Sequence, residues 1–237
     1  VLEEYGLGDR AAELNRRAAE LARQAASEAS TPGRPRFVAG SMGPTTRSIT
    51  VTGGVTFAEL VAAFTAQARG LHDGGVDLFL VETSQDTRNT KAALIAVGDV
   101  CRQAGARMPV AVSGTVEPMG TMLAGQTAEA FVLSLDHVDL VALGLNCATG
   151  PEFMTDHIRT VHETARCAVS CYPNAGLPDE DGRYPLGPDD LAAALDRFVT
   201  NGWLNIVGGC CGTTAEHVRA LAVMVDGRRP RPIPADR

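Results

Sequence analysis

The sequence has 237 residues, of which 45% are hydrophobic, and this is enough to bury the core of one α/β domain. Its formal charge of -7, from 21 basic and 28 acidic residues with no basic run, argues against a nucleic acid or an anionic membrane as partner. No apolar stretch approaches the roughly 18 residues that span a bilayer, and the first residues are too acidic for a secretory signal. We therefore expect a cytoplasmic protein whose six cysteines are metal ligands or buried thiols and do not form a disulfide framework.

A helix and then six strand-helix units follow along the chain. Leucine and alanine at helical spacing predict the first helix over 10–30, ended by Thr-Pro-Gly at 31–33. Apolar runs then predict strands at 36–41, 77–83, 109–115, 139–147, 167–173 and 204–210, followed by helices at 57–72, 87–103, 128–135, 151–165, 188–201 and 214–225. Beyond Gly227 the prolines cannot continue a helix. We expect one domain over 1–227 and a proline- and arginine-rich linker or tail over 228–237.

Six nearly continuous apolar strands, each followed by a helix, are typical of a parallel sheet covered by helices. A doubly wound open sheet normally carries Gly-x-Gly-x-x-Gly after an early strand, and none stands at a strand end here. Polar and sulfur-bearing residues recur instead where the strands end, which is where TIM barrels place their chemistry. We therefore predict a (β/α)8 TIM barrel of which about six units are present and the first two strands are missing.

Adjacent cysteines end the last predicted strand, in Gly-Gly-Cys-Cys-Gly at 208–212. Neighbouring strand side chains face opposite ways, so a core holds only one of them, and a disulfide needs its Cα atoms further apart than one peptide allows. Cys147 ends the fourth strand, so it can meet Cys210 and Cys211 at one barrel rim. Three thiolates with one open position are typical of a catalytic zinc site. The remaining cysteines are interpreted as packing residues in helices or strands: Cys101, Cys167 and Cys171.

Three motifs carry a family resemblance: Gly-Leu-Asn-Cys-Ala-Thr-Gly-Pro at 144–151, Tyr-Pro-Asn-Ala-Gly-Leu-Pro at 172–178 and Gly-Gly-Cys-Cys-Gly-Thr-Thr at 208–214. With Ala-Gly-Ser-Met-Gly-Pro-Thr at 39–45, they resemble the homocysteine S-methyltransferases, and within that family the homocysteine-binding domain of cobalamin-dependent methionine synthase. The likeness covers essentially the whole chain. It implies a barrel that binds zinc through Cys147, Cys210 and Cys211 and takes the sulfur of homocysteine at the open position.

The resemblance also implies the chemistry. No side chain is the nucleophile: the zinc-bound thiolate of homocysteine attacks a methyl group and yields methionine. In the cobalamin-dependent enzymes the donor is methylcobalamin, recharged from methyltetrahydrofolate, so cobalamin- and folate-binding domains outside this chain are the implied partners. A stand-alone enzyme using betaine or S-methylmethionine is the alternative within the family. A non-catalytic zinc- or thiol-binding module is the alternative outside it.

The substrate contacts are open. Glu117 and Glu82 are candidates for the amino group of homocysteine, with Ser113 or Thr115 near its carboxylate. Asn174, at the end of the fifth strand, is a candidate to meet zinc without substrate or to orient the substrate. A strand-end glutamate can instead satisfy backbone amides or pair with a lysine, and the asparagine can simply cap a turn. The motifs that the family carries on its first two strands are not found in this sequence, so we expect the substrate contacts that those strands supply to be absent.

Overall fold

Strands and helices alternate along the chain, and the six strands keep their sequence order in the sheet. The computed structural model describes residues 2–235, so the parts of the domain and tail predictions that fall on residues 1 and 236–237 lie outside the described residues. The strands are β1 (Ala39–Met42), β2 (Leu78–Ser84), β3 (Val110–Gly114), β4 (Ala142–Asn146), β5 (Ala168–Tyr172) and β6 (Ile206–Val207). The helices are α1 (Ala11–Ala29), α2 (Phe57–Asp73), α3 (Thr87–Gln103), α4 (Ala128–Leu135), α5 (Thr155–Thr164), α6 (Pro188–Thr200) and α7 (Ala215–Val225).

This alternation confirms the predicted α/β class and is consistent with part of a TIM barrel, which has eight strands. Most elements are somewhat shorter than predicted, and two are shortened most. The fifth helix begins only at Thr155, because Pro151–Phe153 forms a separate 3₁₀ turn. The last strand keeps two residues, because the Asn205 side chain accepts the Val169 N–H (2.8 Å) in place of a backbone carbonyl. In residues 2–235, no helix combines the length and the apolar character that crossing a membrane requires.

The chain forms two compact units, one ending at Ala111 and the other beginning at Val112. In the first unit, β1 and β2 are parallel, with Met42 opposite Val81. Helix α2 packs on α1 closely enough to require glycine: a Cβ at Gly70 would lie 2.2 Å from the carbonyl oxygen of Ala12. The first unit is therefore built around a tight pair of helices next to its strands.

The segment between β1 and α2 is fixed by a buried carboxylate. Asp86, only 1% exposed, accepts the Ser48 hydroxyl (2.6 Å), the Thr50 N–H (3.0 Å) and the Arg88 N–H (2.8 Å). Burial alone would raise the pKa of Asp86, but these hydrogen bonds outweigh it and lower the pKa. Asp86 therefore stays ionised and holds this loop in place at neutral pH.

In the second unit, β4 is buried at all five positions and pairs with β5 in parallel, so that Asn146 lies opposite Tyr172. Strand β5 pairs in turn with β6, and Cys171 lies opposite Val207. The backbones of β4 and β5 approach closely at Gly144, where a Cβ would lie 1.9 Å from the carbonyl oxygen of Ser170. This register brings the carboxyl ends of β4, β5 and β6 side by side.

The C-terminal segment is attached to the second unit by Arg231, which is 4% exposed. Its guanidinium donates to the carbonyls of His162 (2.7 Å), Ala165 (2.7 Å) and Cys167 (3.0 Å), and its backbone N–H donates to Leu204 (2.9 Å). Arg231 therefore packs on the unit, although it lies in the predicted tail. A linker role for 228–237 stays a prediction.

Replacing Arg231 tests this anchor. Arg231→Ala should lower the free energy of unfolding by about 2–4 kcal/mol, because three buried carbonyls lose their donor. Urea denaturation of the full chain measures the change. Arg229→Ala is the matched control, since Arg229 is exposed, and it should change stability by no more than about 0.5 kcal/mol. Equal effects of the two substitutions would show that Arg231 is no anchor.

Candidate metal centre

Three sulfurs converge at the carboxyl end of the second unit's strands. The Sγ atoms of Cys147, Cys210 and Cys211 all lie within 4.8 Å of one another. Cys211 Sγ lies 3.9 Å from Cys147 Sγ and 3.9 Å from Cys210 Sγ. Within residues 2–235, no other group of His, Cys, Asp or Glu side chains could hold a metal ion in this way. The structure thus brings together the three cysteines that the sequence singles out.

Cys147 reaches this cluster through a strained turn. Cys147 and Ala148 follow β4 with φ of +62° and +51°, in the left-handed region that costs a residue with a side chain about 1–3 kcal/mol. The Thr149 N–H donates to the Cys147 carbonyl (2.7 Å) and closes the turn. Strand β4 therefore ends abruptly, and its next side chain is turned toward the end of β6.

Cys210 and Cys211 lie in a sharp corner of the backbone beyond the end of β6, outside the sheet. Strand β6 ends at Val207, so the alternation of strand side chains does not apply, and both sulfurs face the same site. The Cys210 N–H donates to the Pro173 carbonyl (2.8 Å), and the Ala175 N–H donates to the Cys211 carbonyl (2.9 Å). The corner is thus hydrogen-bonded to the segment that follows β5.

Two buried amide side chains form hydrogen bonds at the cysteine corner. Asn146, fully buried at the end of β4, donates from Nδ2 to Cys210 Sγ at 3.6 Å. Asn174, 4% exposed, accepts the Cys211 N–H with its Oδ1 at 3.1 Å. The predicted candidate Asn174 therefore belongs to the cluster, with its oxygen occupied by backbone. Asn146 is not among the residues predicted from the sequence, although a polar residue ending the apolar run 142–145 was an available signal.

An aromatic side chain lies beside the cysteine corner. The ring of Tyr184 covers Gly212, where a Cβ would lie only 2.2 Å from Tyr184 Cγ. The pKa of Tyr184 is raised by desolvation, and further by the negative charge of the nearby cysteines, chiefly Cys211. Tyr184 lies in a long loop between β5 and α6, and no sequence pattern ties it to the cysteines.

The three sulfurs do not carry equal charge. The pKa of Cys147 is lowered to about 6, chiefly by a hydrogen bond from the Cys210 thiol, which together with donation from the Ala148 N–H, Cys211 and Asn174 outweighs burial. The pKa of Cys210 is raised, because it donates to Cys147 and is buried. Without metal, the cluster therefore holds its first thiolate on Cys147.

The other predicted substrate residues divide between the units. Ser113 and Thr115, at the end of β3, are 0% and 1% exposed, and their hydroxyls have no hydrogen-bond partner among the described residues. Glu117 follows them and is partly buried, with its backbone N–H donating to Thr121 (2.9 Å). Glu82 belongs to the first unit, where its carboxylate accepts the Ser41 hydroxyl. Of these candidates, Ser113 and Thr115 are therefore the ones whose buried hydroxyls could gain a hydrogen bond from a ligand.

The donor set fits a tetrahedral metal ion. Two thiolates on one zinc ion, each with a bond of about 2.3 Å, stand about 3.8 Å apart. The observed separations of 3.9 Å between Cys211 and each of the other two sulfurs match this spacing. The cluster could therefore hold such an ion with three protein ligands.

The charge distribution predicts the pH dependence of the metal-free chain. Ultraviolet absorbance of the Cys147 thiolate should persist at neutral pH and be lost only as the pH falls through about 6, because a lowered pKa keeps a thiol ionised to lower pH. Cys147→Ser should abolish this step, whereas the control Cys101→Ser, in α3, should keep it. A step that survives in Cys147→Ser would place the thiolate elsewhere.

Comparison with known proteins identifies a family and a fold. A model of the family described as homocysteine S-methyltransferase matches residues 1–225. In fold, the chain is similar to the homocysteine methyltransferase MmuM from Escherichia coli. Its metallated form gives a TM-score of 0.71 at 23% identity, over 94% of this chain and 74% of that one. Its apo form gives 0.69 at 23% identity, over 92% and 74%. The structural likeness shows the fold, while the family match extends over nearly the whole sequence, and the chain therefore belongs to the homocysteine S-methyltransferase family.

Proposed function

We propose that this protein binds zinc through Cys147, Cys210 and Cys211 and transfers a methyl group to the sulfur of homocysteine, giving methionine. The observation that carries the proposal is the convergence of three cysteine sulfurs within 4.8 Å in a chain of this family. A metallated form is known for the similarly folded E. coli methyltransferase, which supports a metal here as well.

The chain's own residues prepare the site. A zinc ion held by three cysteines has one position left and supplies a Lewis acid that keeps a substrate sulfur deprotonated at neutral pH. Asn146 donates to the sulfur of Cys210 and Asn174 accepts the Cys211 N–H, so the two amides orient the cysteines. In the overall reaction the homocysteine thiol loses its proton to solvent, its sulfur forms a bond to the methyl group, and the bond from methyl to donor breaks.

Substrate recognition is proposed for the polar residues around β3. A buried hydroxyl without a partner costs about 1–3 kcal/mol, so a ligand that hydrogen-bonds to it recovers that cost. We assign Ser113 and Thr115 to the carboxylate of homocysteine on this ground. Glu117 and Glu82 remain the candidates for its amino group, and Asn174 for orienting the substrate beside the cysteines.

The methyl donor is proposed from the sequence motifs alone. They favour methylcobalamin, recharged from methyltetrahydrofolate on cobalamin- and folate-binding domains outside this chain. Betaine or S-methylmethionine is the alternative donor, and a non-catalytic zinc module is the alternative of another class. All six cysteines are free thiols in the structure, which suits the reducing cytoplasm in which we place the activity.

Metal analysis tests the centre. The purified chain should bind one zinc ion, and Cys147→Ser, Cys210→Ser and Cys211→Ser should each weaken its affinity by more than roughly 100-fold, since losing a ligand exceeds losing an outer-shell partner. Cys101→Ser is the control and should bind zinc normally. Zinc-edge spectroscopy should show homocysteine sulfur joining the metal. A coordination shell that homocysteine leaves unchanged would favour the non-catalytic module.

Turnover assays test the reaction and the donor. Methionine formation from homocysteine should be measured separately with methylcobalamin, betaine and S-methylmethionine. We expect turnover with methylcobalamin and none with betaine or S-methylmethionine. Turnover with betaine or S-methylmethionine and none with methylcobalamin would replace the proposed donor by the alternative.

Ser113→Ala tests substrate recognition. It should weaken homocysteine binding about five- to tenfold, the worth of one hydrogen bond, while stability stays equal or rises, because an unpartnered buried hydroxyl is removed. Calorimetric titration of the zinc-loaded chain measures the affinity. The control is Ser134→Ala, in α4, whose hydroxyl donates to the Phe131 carbonyl (2.8 Å) and should not affect binding. Loss of stability with unchanged binding would make Ser113 a packing residue.

A further inference from the structure

We propose that His217 is a positioning residue of the cysteine centre: it fixes the end of the loop 177–187, so that Tyr184 stays beside Cys211. From the sequence alone, His217 is expected only to lie near the end of a helix. Its importance for the centre rests on the proposed function, in which Cys211 is a metal ligand.

His217 links helix α7 to that loop. It is the third residue of the helix and is only 6% exposed. The Thr214 N–H donates to His217 Nδ1 (3.1 Å), so this nitrogen carries no proton in the neutral ring. The proton therefore lies on Nε2, which donates to the Leu186 carbonyl at 2.9 Å. One side chain thus caps the helix and holds the loop.

Leu186 is held from both sides. Its carbonyl accepts from His217, and its N–H donates to the Ala175 carbonyl (3.0 Å). Ala175 in turn donates its N–H to the Cys211 carbonyl (2.9 Å). Hydrogen bonds therefore connect Cys211 to Ala175, Ala175 to Leu186 and Leu186 to His217. His217 is also bonded to Thr214, which the backbone joins back to Cys211.

Fixing Leu186 fixes Tyr184, because only Pro185 stands between them. Proline locks its own φ, which leaves little freedom between the two residues. Pro185 also packs on Gly176, where a Cβ would meet its Cγ at 2.8 Å. The Tyr184 ring then covers Gly212, the residue directly after Cys211. His217 therefore acts on Cys211 through Leu186 and Tyr184.

Two substitutions separate this role from helix capping. Glutamate at the third helical position can still accept the Thr214 N–H, as in a capping box, but a carboxylate cannot donate to the Leu186 carbonyl. Glutamine there can do both. His217→Glu therefore removes the link to the loop and keeps the cap, whereas His217→Gln is the matched control that keeps both.

The readout is the rate at which iodoacetamide alkylates Cys211 in the metal-free full chain, located by mass spectrometry of its peptides. His217→Glu should raise this rate about tenfold, the worth of the lost hydrogen bond to Leu186, because the released loop no longer covers the corner at Cys211. His217→Gln should stay within about twofold of the original. An added negative charge disfavours thiolates, so charge alone would slow the reaction. Equal rates in the two variants would overturn the proposal.

A double-mutant cycle tests the route through Tyr184. Tyr184→Ala should raise the alkylation rate by a similar factor, and combining it with His217→Glu should add nothing, because both remove the same contact. Factors that multiply would show that His217 acts independently of Tyr184 and overturn the proposal. The assay uses neither metal nor substrate. A negative result in this assay would therefore not argue against zinc binding or methyl transfer. Conversely, a chain that shows neither zinc binding nor turnover could still give the expected alkylation rates.

Discussion

The crowding of three sulfurs within 4.8 Å is the constraint on which the rest of the second unit depends. Negative charges at this distance oppose one another, so without a metal the cluster settles on a thiolate at Cys147 and a protonated Cys210. The Asn146 amide donates to Cys210 Sγ, and the Asn174 amide oxygen accepts the Cys211 N–H. The site is therefore held by neutral donors and by backbone.

Backbone geometry carries much of the cost of that arrangement. Cys147 and Ala148 occupy the left-handed region, and they do so directly after a strand that is buried at every position. Gly144 meanwhile lets β4 and β5 approach more closely than any side chain would permit. A rigid, tightly packed strand pair holds the strained turn at its end, so the stability of the sheet maintains the position of the sulfur.

The sequence predicted what depends on local pattern and spacing. The alternation of strands and helices, and the meeting of Cys147 with Cys210 and Cys211, follow from apolar runs and from where each run ends. Side-chain contacts across long sequence separations could not be predicted in this way. Arg231 bonds to carbonyls more than sixty positions earlier, and His217 bonds to Leu186 across a separation of 31. Such contacts depend on how closely the elements pack, which periodicity does not encode.

The corner at Cys210 and Cys211 has a further consequence. Cys147 and Cys211 are 64 positions apart in the chain, and a metal ion shared between them would close the intervening loop as a cross-link does. Closing a long loop removes conformational entropy chiefly from the unfolded chain. Metal affinity and the folding stability of the second unit are then linked. A change that destabilises β4 to β6 also lowers the affinity for the ion, and the bound ion in turn stabilises the strands that carry its ligands.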